Sequence, residues 1–457
     1  MSADAGILEV VDGRPLVDGT DILDLAQRIP TPFFLYSARR LRWNVESIRN
    51  AFTRRHIDTD VLYASKACSM MWLLRHVLAS GIDVEVNSGG ELWKALKAGF
   101  RPDQIVFNGA AKAVPEVREA LRVGLRALIV DSLFELERVA AVAAELRRPA
   151  VVALRVDIDV PTQTHPGMAT TRGGKFGVDL AQAVDGYRFA AAHEWLEPRG
   201  LHVHLGSQIT TTDPYVRGIE AALDLVAEVE AACDITLEFL DTGGGFPVPF
   251  KPAEEAVVDP GDYFRAPFAV DEYAAAICGV LERRRPDLRL LIEPGRFIAA
   301  SAAVLVTRVE NEKVKYVRDP RGGLLGEERW ITVDAGYNTL LEHCLYDWYY
   351  PSVVAGRLGE GTPAPFRVAG PLCDAGDVFV GDDEAGCRSL PSGTGVGDVV
   401  VFSQVGAYGL EMMTPCNCRP RAAVYAVEDG VVRRVRREET CADMIAHDEG
   451  WEPRRSG

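Results

Sequence analysis

Between residues 60 and 295, short apolar runs alternate with longer stretches that are apolar at every third or fourth position. "DVLYAS" (60–65), "IDVEV" (82–86), "QIVFNG" (104–109), "ALIVD" (127–131), "AVVALRVDI" (150–158), "GLHVHLG" (200–206), "LEFLDTGGG" (237–245) and "LRLLIEPG" (288–295) read as strands. "SMMWLLRHVLASG" (69–81), "VPEVREALRVG" (114–124) and "SLFELERVAAVAAEL" (132–146) read as amphipathic helices. Eight repeats of this kind predict an α/β fold, a (β/α)₈ TIM-type barrel. A doubly wound sheet is the second choice, but no G-x-G-x-x-G follows the first strand. After Arg296 the pattern changes to alternating or wholly apolar strands separated by Gly, Pro and Asp turns, among them "AAVLVTRVENEKVKYV", "GDVVVFSQVGAYG" and "RAAVYAVEDGVVRRVRR". The expected organisation is a strand hairpin in 1–35 ("ILEVVDGRPLV") packing with the β-domain, a barrel in 36–297, and a C-terminal β-domain, sandwich- or barrel-like, in 298–457 that ends in a polar tail.

A length of 457 residues fits two such domains, and the formal charge of −16 argues against nucleic acid and anionic membranes as partners. No apolar run approaches the roughly 20 residues needed to cross a bilayer, and no basic-then-apolar leader opens the chain. Nine scattered cysteines, an odd number, fit a reducing compartment, so the cytoplasm is expected. The lone C-x-C at Cys416 and Cys418 has no nearby histidines, and no metal site is expected.

Working residues of such a barrel sit at the C-terminal ends of its strands. Reading those ends in order gives Lys66, Asn108, His204 with Ser207, the triplet Gly243, Gly244 and Gly245, and Glu293 with Arg296. A lysine at the end of an apolar strand either snorkels to solvent or is positioned as an amine nucleophile able to form a Schiff base. The glycine triplet is a tight turn or an anion cradle. His202 and His204, on one face of a strand, are core histidines or ligands, and the acid and base of "EPGR" are a surface pair or a working one. Taken together, they suit a phosphorylated aldehyde cofactor: an amine to bond it, amides and a hydroxyl for its phosphate, an imidazole for its ring face and a carboxylate for its ring nitrogen.

From about residue 30 to 425 the chain resembles the fold-type III pyridoxal-phosphate decarboxylases, which include diaminopimelate and ornithine decarboxylases. The blocks "YASKA", "VNSGGEL", "FNGAAK", "VDSLFELER", "KFGV", "HVHLGSQ", "DTGGGFP", "EPGRF", "VDAG", "GPLCDAGD" and "GAYG" stand in family order. The resemblance implies that Lys66 bonds pyridoxal 5'-phosphate and that His204 stacks on its ring. It also implies that Ser207, the glycines 243–245, Gly295, Arg296 and Tyr408 bind the phosphate side, while Glu293 pairs with the ring nitrogen. Cys373 is implied to reprotonate the α-carbon, with Cys373 and Asp374 supplied by the partner in a homodimer with shared sites.

One block departs from the diaminopimelate decarboxylases, whose Arg-Pro after "VDAG" grips a distal carboxylate. Here those places hold Glu342 and His343, in "VDAGYNTLLEHCLYDWYYP". "LYD" and "CD" resemble ornithine decarboxylases, whose two aspartates bind a distal amine. Glu342, Asp347 and Asp374 would repel a carboxylate and attract an ammonium, while Tyr346, Arg296 and Tyr408 complete the expected substrate contacts. The aromatic run "YDWYY" suggests a roof over a larger substrate or a stacking surface for a cation. The expectation is a pyridoxal-phosphate-dependent carboxy-lyase for an amino acid with a distal amine or other non-carboxylate end: lysine, ornithine, or a conjugated amino acid of specialised biosynthesis. The alternatives are a diaminopimelate decarboxylase making L-lysine and, in another class, a non-catalytic regulatory homologue. The latter would be expected to lack Lys66, the glycines or Cys373.

Overall fold

The computed structural model describes residues 7–162, 164–170, 174–251, 263–266 and 270–449, so the last eight residues of the expected polar tail lie outside it. The chain forms two compact units, Arg40–Ser301 and a second that joins Met1–Arg39 to Ala302–Gly457. Among the described residues, no helix is long and apolar enough to cross a membrane.

The first unit is a closed eight-stranded parallel barrel. Its strands are Thr59–Ala64 (β1), Asp83–Val86 (β2), Ile105–Phe107 (β3), Ala127–Val130 (β4), Ala150–Asp157 (β5), Leu196–His202 (β6), Phe239–Asp241 (β7) and Arg289–Ile292 (β8). Each pairs with the next, and β8 pairs with β1. The helices between strands carry local signals that fix their ends. Ser88 and Ser132 cap Gly89–Ala98 and Leu133–Leu146 by accepting from the backbone three residues on, and Gly99 and Gly124 end two helices with φ of 112° and 76°. Their buried stripes, such as Leu92, Ala95 and Ala98, follow the three-and-four spacing that turns one face to the strands.

The expected sixth strand is displaced. It starts at Leu196, four residues early, and stops at His202, so His204 lies beyond the strand rather than on its face. The sequence "LEPRG" hides this start, because Pro198 and Gly200 read as a turn. The register shifts between them, and the bare Gly200 lets Phe239 pack close: a Cβ there would stand 2.2 Å from the ring.

Inside the barrel lies an apolar layer of Leu62, Val106, Ala127, Ile129, Ala153, Phe239 and Leu291. Strand side chains alternate, so residues two positions further point to the same interior one level higher. Those positions hold Asn108, Asp131, Arg155, Asp241 and Glu293, all buried. The interior is therefore apolar below and ionisable above, at the strand ends where barrel chemistry is placed.

The second unit is rich in sheet. The long strand Ala303–Arg318 pairs through its first half with Phe33–Ser37 and Val399–Ser403, and through its second half with Leu324–Val333. Phe33–Ser37 in turn pairs in parallel with Ala423–Glu428. The opening hairpin was expected to supply strands to this β-domain. It belongs to this unit as expected: it forms a small three-stranded sheet from Glu9–Val11, Arg14–Val17 and Thr20–Asp21, Val17 lies in one apolar cluster with Val304, Val306 and Val399, and the wholly buried Phe33–Ser37 is inserted in the large sheet.

Candidate active site

Lys66 sits on a single turn, Ser65–Ala67, directly after β1, and is half-buried rather than enclosed. That turn is anchored. The Ser65 hydroxyl donates to Glu91 Oε2 at 2.5 Å, and the Asn87 amide donates to the same oxygen at 2.9 Å. Because Glu91 also belongs to the capped start of the helix after β2, "VNSGGEL" positions the lysine as well as starting its own helix.

Glu293 follows β8, the neighbour of β1. Asn108 Nδ2 donates to its Oε1 at 3.3 Å, and His202 Nε2 lies 3.5 Å from Oε2. Burial alone would raise the Glu293 pKa, but the contact with His202 and the positive charge of Lys66 hold it below the usual range, so it is a carboxylate. His202 itself is neutral, because complete burial lowers its pKa against the pull of Glu293. Arg155 stacks on Phe176 at 4.3 Å and lies 3.8 Å from Asp131.

The histidine expected to cover a ring is also neutral. The Gly244 N–H donates to His204 Nδ1 at 3.2 Å, so that nitrogen accepts and the ring proton belongs on Nε2. Burial, reinforced by the charges of Lys66 and Arg155, lowers its pKa well below the ordinary value. His202 and His204 lie nearly parallel, at 6.4 Å and 17°.

The glycine triplet is required by space. A Cβ on Gly243 would meet His204 Nδ1 at 2.2 Å, one on Gly244 the Glu293 carbonyl at 2.2 Å, and one on Gly245 the Gly206 carbonyl at 2.5 Å. Gly243 donates to Asp241 Oδ1 at 2.9 Å and Gly244 to His204. Among the described residues only the Gly245 amide of the three has no protein acceptor, which narrows the expected triple cradle to one amide. Beside it, Ser207 Oγ accepts from Arg296 Nε at 3.4 Å, and Thr164 donates to the Ser207 carbonyl. Gly295 packs the Glu293 turn against the lysine turn, since a Cβ there would lie 3.1 Å from Ala64 and Ala67.

The other named residues lie in the second unit and form a group of their own. Cys373 is exposed, and its N–H donates to Asn417 Oδ1 at 2.8 Å. Asp374, also exposed, accepts from Gly376 N at 2.8 Å and from the Tyr337 hydroxyl at 3.3 Å. Asp347 is exposed in the left-handed region, φ 48°, and Tyr408 has φ 63° in the "GAYG" turn. Glu342 is different: it is 2% exposed, and its Oε2 accepts from Tyr350 OH at 2.9 Å. In the aromatic run Trp348 and Tyr350 are buried, and the guanidinium of Arg388 stacks on Tyr349 at 4.7 Å, the cation stacking that the run offered. Asp377 closes this region, taking the Tyr337 amide on one oxygen at 2.7 Å and the Leu372 amide on the other at 2.8 Å.

Sequence reasoning passed over Glu85, Asp131, Arg155 and Asp241. For three of them the available signal was parity: Asp131, Arg155 and Asp241 each follow an apolar interior residue, Ile129, Ala153 and Phe239, by two positions, whereas Glu85 shares its face with Asp83 and carried no such signal. Some of the buried polar atoms left without partners lie in this layer. They include both oxygens of Glu85, Asp241 Oδ2 and His202 Nδ1. The Gly245 amide without a protein acceptor, with the Ser207 hydroxyl and Arg296 beside it, suits an anionic group.

Comparison with known proteins agrees. Residues 39–300 match the family model of the pyridoxal-dependent decarboxylase, pyridoxal binding domain. The chain is 34% identical to diaminopimelate decarboxylase of Neisseria meningitidis serogroup A over 93% of its length and 96% of the relative's. It is 32% identical to that of Archaeoglobus fulgidus, over 95% and 96%. Among solved structures, diaminopimelate decarboxylase of M. jannaschii in co-complex with L-lysine superposes with a TM-score of 0.85 at 29% identity, covering 98% of both chains.

Proposed function

The chain belongs to the pyridoxal-dependent decarboxylases, and from that premise we propose that Lys66 carries the cofactor and that the substrate is an amino acid whose far end is not a carboxylate. Pyridoxal 5'-phosphate supplies an electron sink for the pair left behind when CO₂ departs. Glu293, kept as a carboxylate, pairs with the ring nitrogen and keeps its proton in place. The neutral, flat His204 would cover a ring face, and Ser207, Gly245, Gly295 and Arg296 would hold the phosphate, with Tyr408 assigned to it by the family resemblance alone. The observation that carries this assignment is the adjacency of Lys66 and Glu293 on neighbouring strand ends of one buried polar layer, with the glycine triplet packed beside them.

Cys373 is the proton donor to the α-carbon, and its exposure together with that of Asp374 supports a homodimer in which each copy completes its partner's site. Two results test this. Cys373→Ala should keep the cofactor but slow turnover on the order of a hundredfold and divert part of the product to aberrant protonation. Unchanged kinetics and product would remove Cys373 from the chemistry. Mixing inactive Lys66→Ala with inactive Cys373→Ala should restore activity, because some exchanged dimers hold one wholly wild-type site. No recovery after proven subunit exchange would place each site within one chain.

For the substrate, Asp347 and Asp374 are acids on the exposed side of their loops, and no arginine stands in the block that binds a carboxylate in diaminopimelate decarboxylases. Lysine, ornithine or a conjugated amino acid follows. The second reading, diaminopimelate, is favoured by the names of the relatives above. Measuring CO₂ release across diaminopimelate, lysine, ornithine, arginine and diaminopropionate conjugates separates the two. An odd number of cysteines, nine, scattered without a framework spacing supports work in a reducing cytoplasm.

A further inference from the structure

We propose that Glu85 is a proton-holding residue for Lys66: it keeps a proton while Lys66 is bonded to the cofactor and hands it to the lysine amine when the substrate takes that place. This rests on Lys66 being the cofactor-bearing residue. Glu85 lies in β2 directly opposite Ala64 in β1, two residues before Lys66. In β3 it faces Val106, a member of the barrel's apolar layer, so its side chain points to the interior.

The carboxyl is fully buried, and neither oxygen has a hydrogen-bond partner among the described residues. The Asn87 amide lies near enough to bias it but outside hydrogen-bond geometry, its own Nδ2 being likewise without a partner. A buried carboxylate with no donor is costly, and the neutral acid is the form that such a place favours. Five charged groups act on it: Lys66 from the turn after β1, Glu91 from the helix after β2, Arg155 from β5, Asp241 from β7 and Glu293 after β8. Of these Lys66 is the strongest, and it alone is a cation that is released and rebound in each catalytic cycle.

Burial raises the Glu85 pKa to about 8, with Lys66 opposing and Glu293 and Glu91 adding to the rise. A group that titrates there can give and retake a proton at neutral pH. The exchange balances: carboxylic acid and neutral amine become carboxylate and ammonium as Lys66 leaves, and the proton returns when Lys66 bonds again. No electrons move.

The test uses the holoenzyme. Borohydride reduction and peptide mapping first locate the cofactor in wild type and in Glu85→Gln. Then the visible absorbance of the bound cofactor is titrated with pH, and the rate at which a simple primary amine displaces Lys66 is measured at pH 7. The expected results are cofactor on Lys66 in both proteins and, in wild type, a titration step well above the ordinary carboxyl range, the direction in which burial drives Glu85. In Glu85→Gln that step should be lost or moved by more than about one unit, and displacement slowed on the order of a hundredfold. Cofactor on Lys66 with an unaltered titration and rate would overturn the proposal. Cofactor on another residue would instead overturn the assignment of Lys66. If the Gln variant does not fold, Glu85→Asp, an acid one methylene shorter, must shift the midpoint, and an unshifted midpoint rejects the role.

Discussion

Lys66→Ala is expected to yield a protein that folds, lacks the visible absorbance of the bound cofactor, and has lost at least about a thousandfold in kcat. Folding should survive because Lys66 is half-buried on a turn whose anchoring bonds come from Ser65 and Asn87 to Glu91, none of which involves the lysine side chain. Chemistry should not survive, because the other cations of the polar layer cannot replace it. Arg155 is a guanidinium, and Lys112 is paired with Glu135 at 3.1 Å and donates to the carbonyls of Gly109 and Ile129. Reduction of the wild-type enzyme followed by peptide mass mapping should place the cofactor on Lys66. A variant that still binds it covalently, or a wild type modified elsewhere, would refute the assignment.

The second large effect concerns the substrate. Meso-diaminopimelate is expected to have a kcat/KM at least about a hundredfold below that of the best substrate with a distal amine, since it loses an arginine partner and meets acids in its place. Glu342 is the delicate member of the acid set. It is buried and already accepts from Tyr350, so any effect on the substrate comes through charge more than direct contact. Glu342→Gln keeps the shape and should reduce kcat/KM for the amine-ended substrate about tenfold, near 1.4 kcal/mol, without harming diaminopimelate. An enzyme that prefers diaminopimelate over every amine-ended compound would sink this reading and favour the second one.

Much of the architecture was legible because a barrel strand is a short apolar run and its helix a three-and-four pattern, and eight pairs of them leave few alternatives. The sixth strand was misplaced because Pro198 and Gly200 carry a turn signature inside a strand. The opening hairpin joins the expected domain, but strand alternation does not tell which sheet a strand will enter, and it forms a sheet of its own there. At the site, a sequence shows which residues bear chemistry but not which amides are already in use. Gly243 and Gly244 look equivalent to Gly245, yet both donate to neighbours within the chain. Glu85 was passed over because "DVEV" reads as ordinary alternation, with the acid on a solvent face; a barrel turns that face inward.

Asp377 has a consequence for how this enzyme could change. With one oxygen on Tyr337 N–H and the other on Leu372 N–H, it fastens the loop bearing Glu342 to the loop bearing Cys373 and Asp374. Gly336 and Gly370 press against it so closely that a Cβ on either would stand 2.3 Å from its carboxylate. The two loops therefore behave as one rigid block. A substitution that shifts one is expected to drag the other, so if these loops hold the substrate as proposed, a new preference would take paired changes in both, with the barrel's polar layer left as it is.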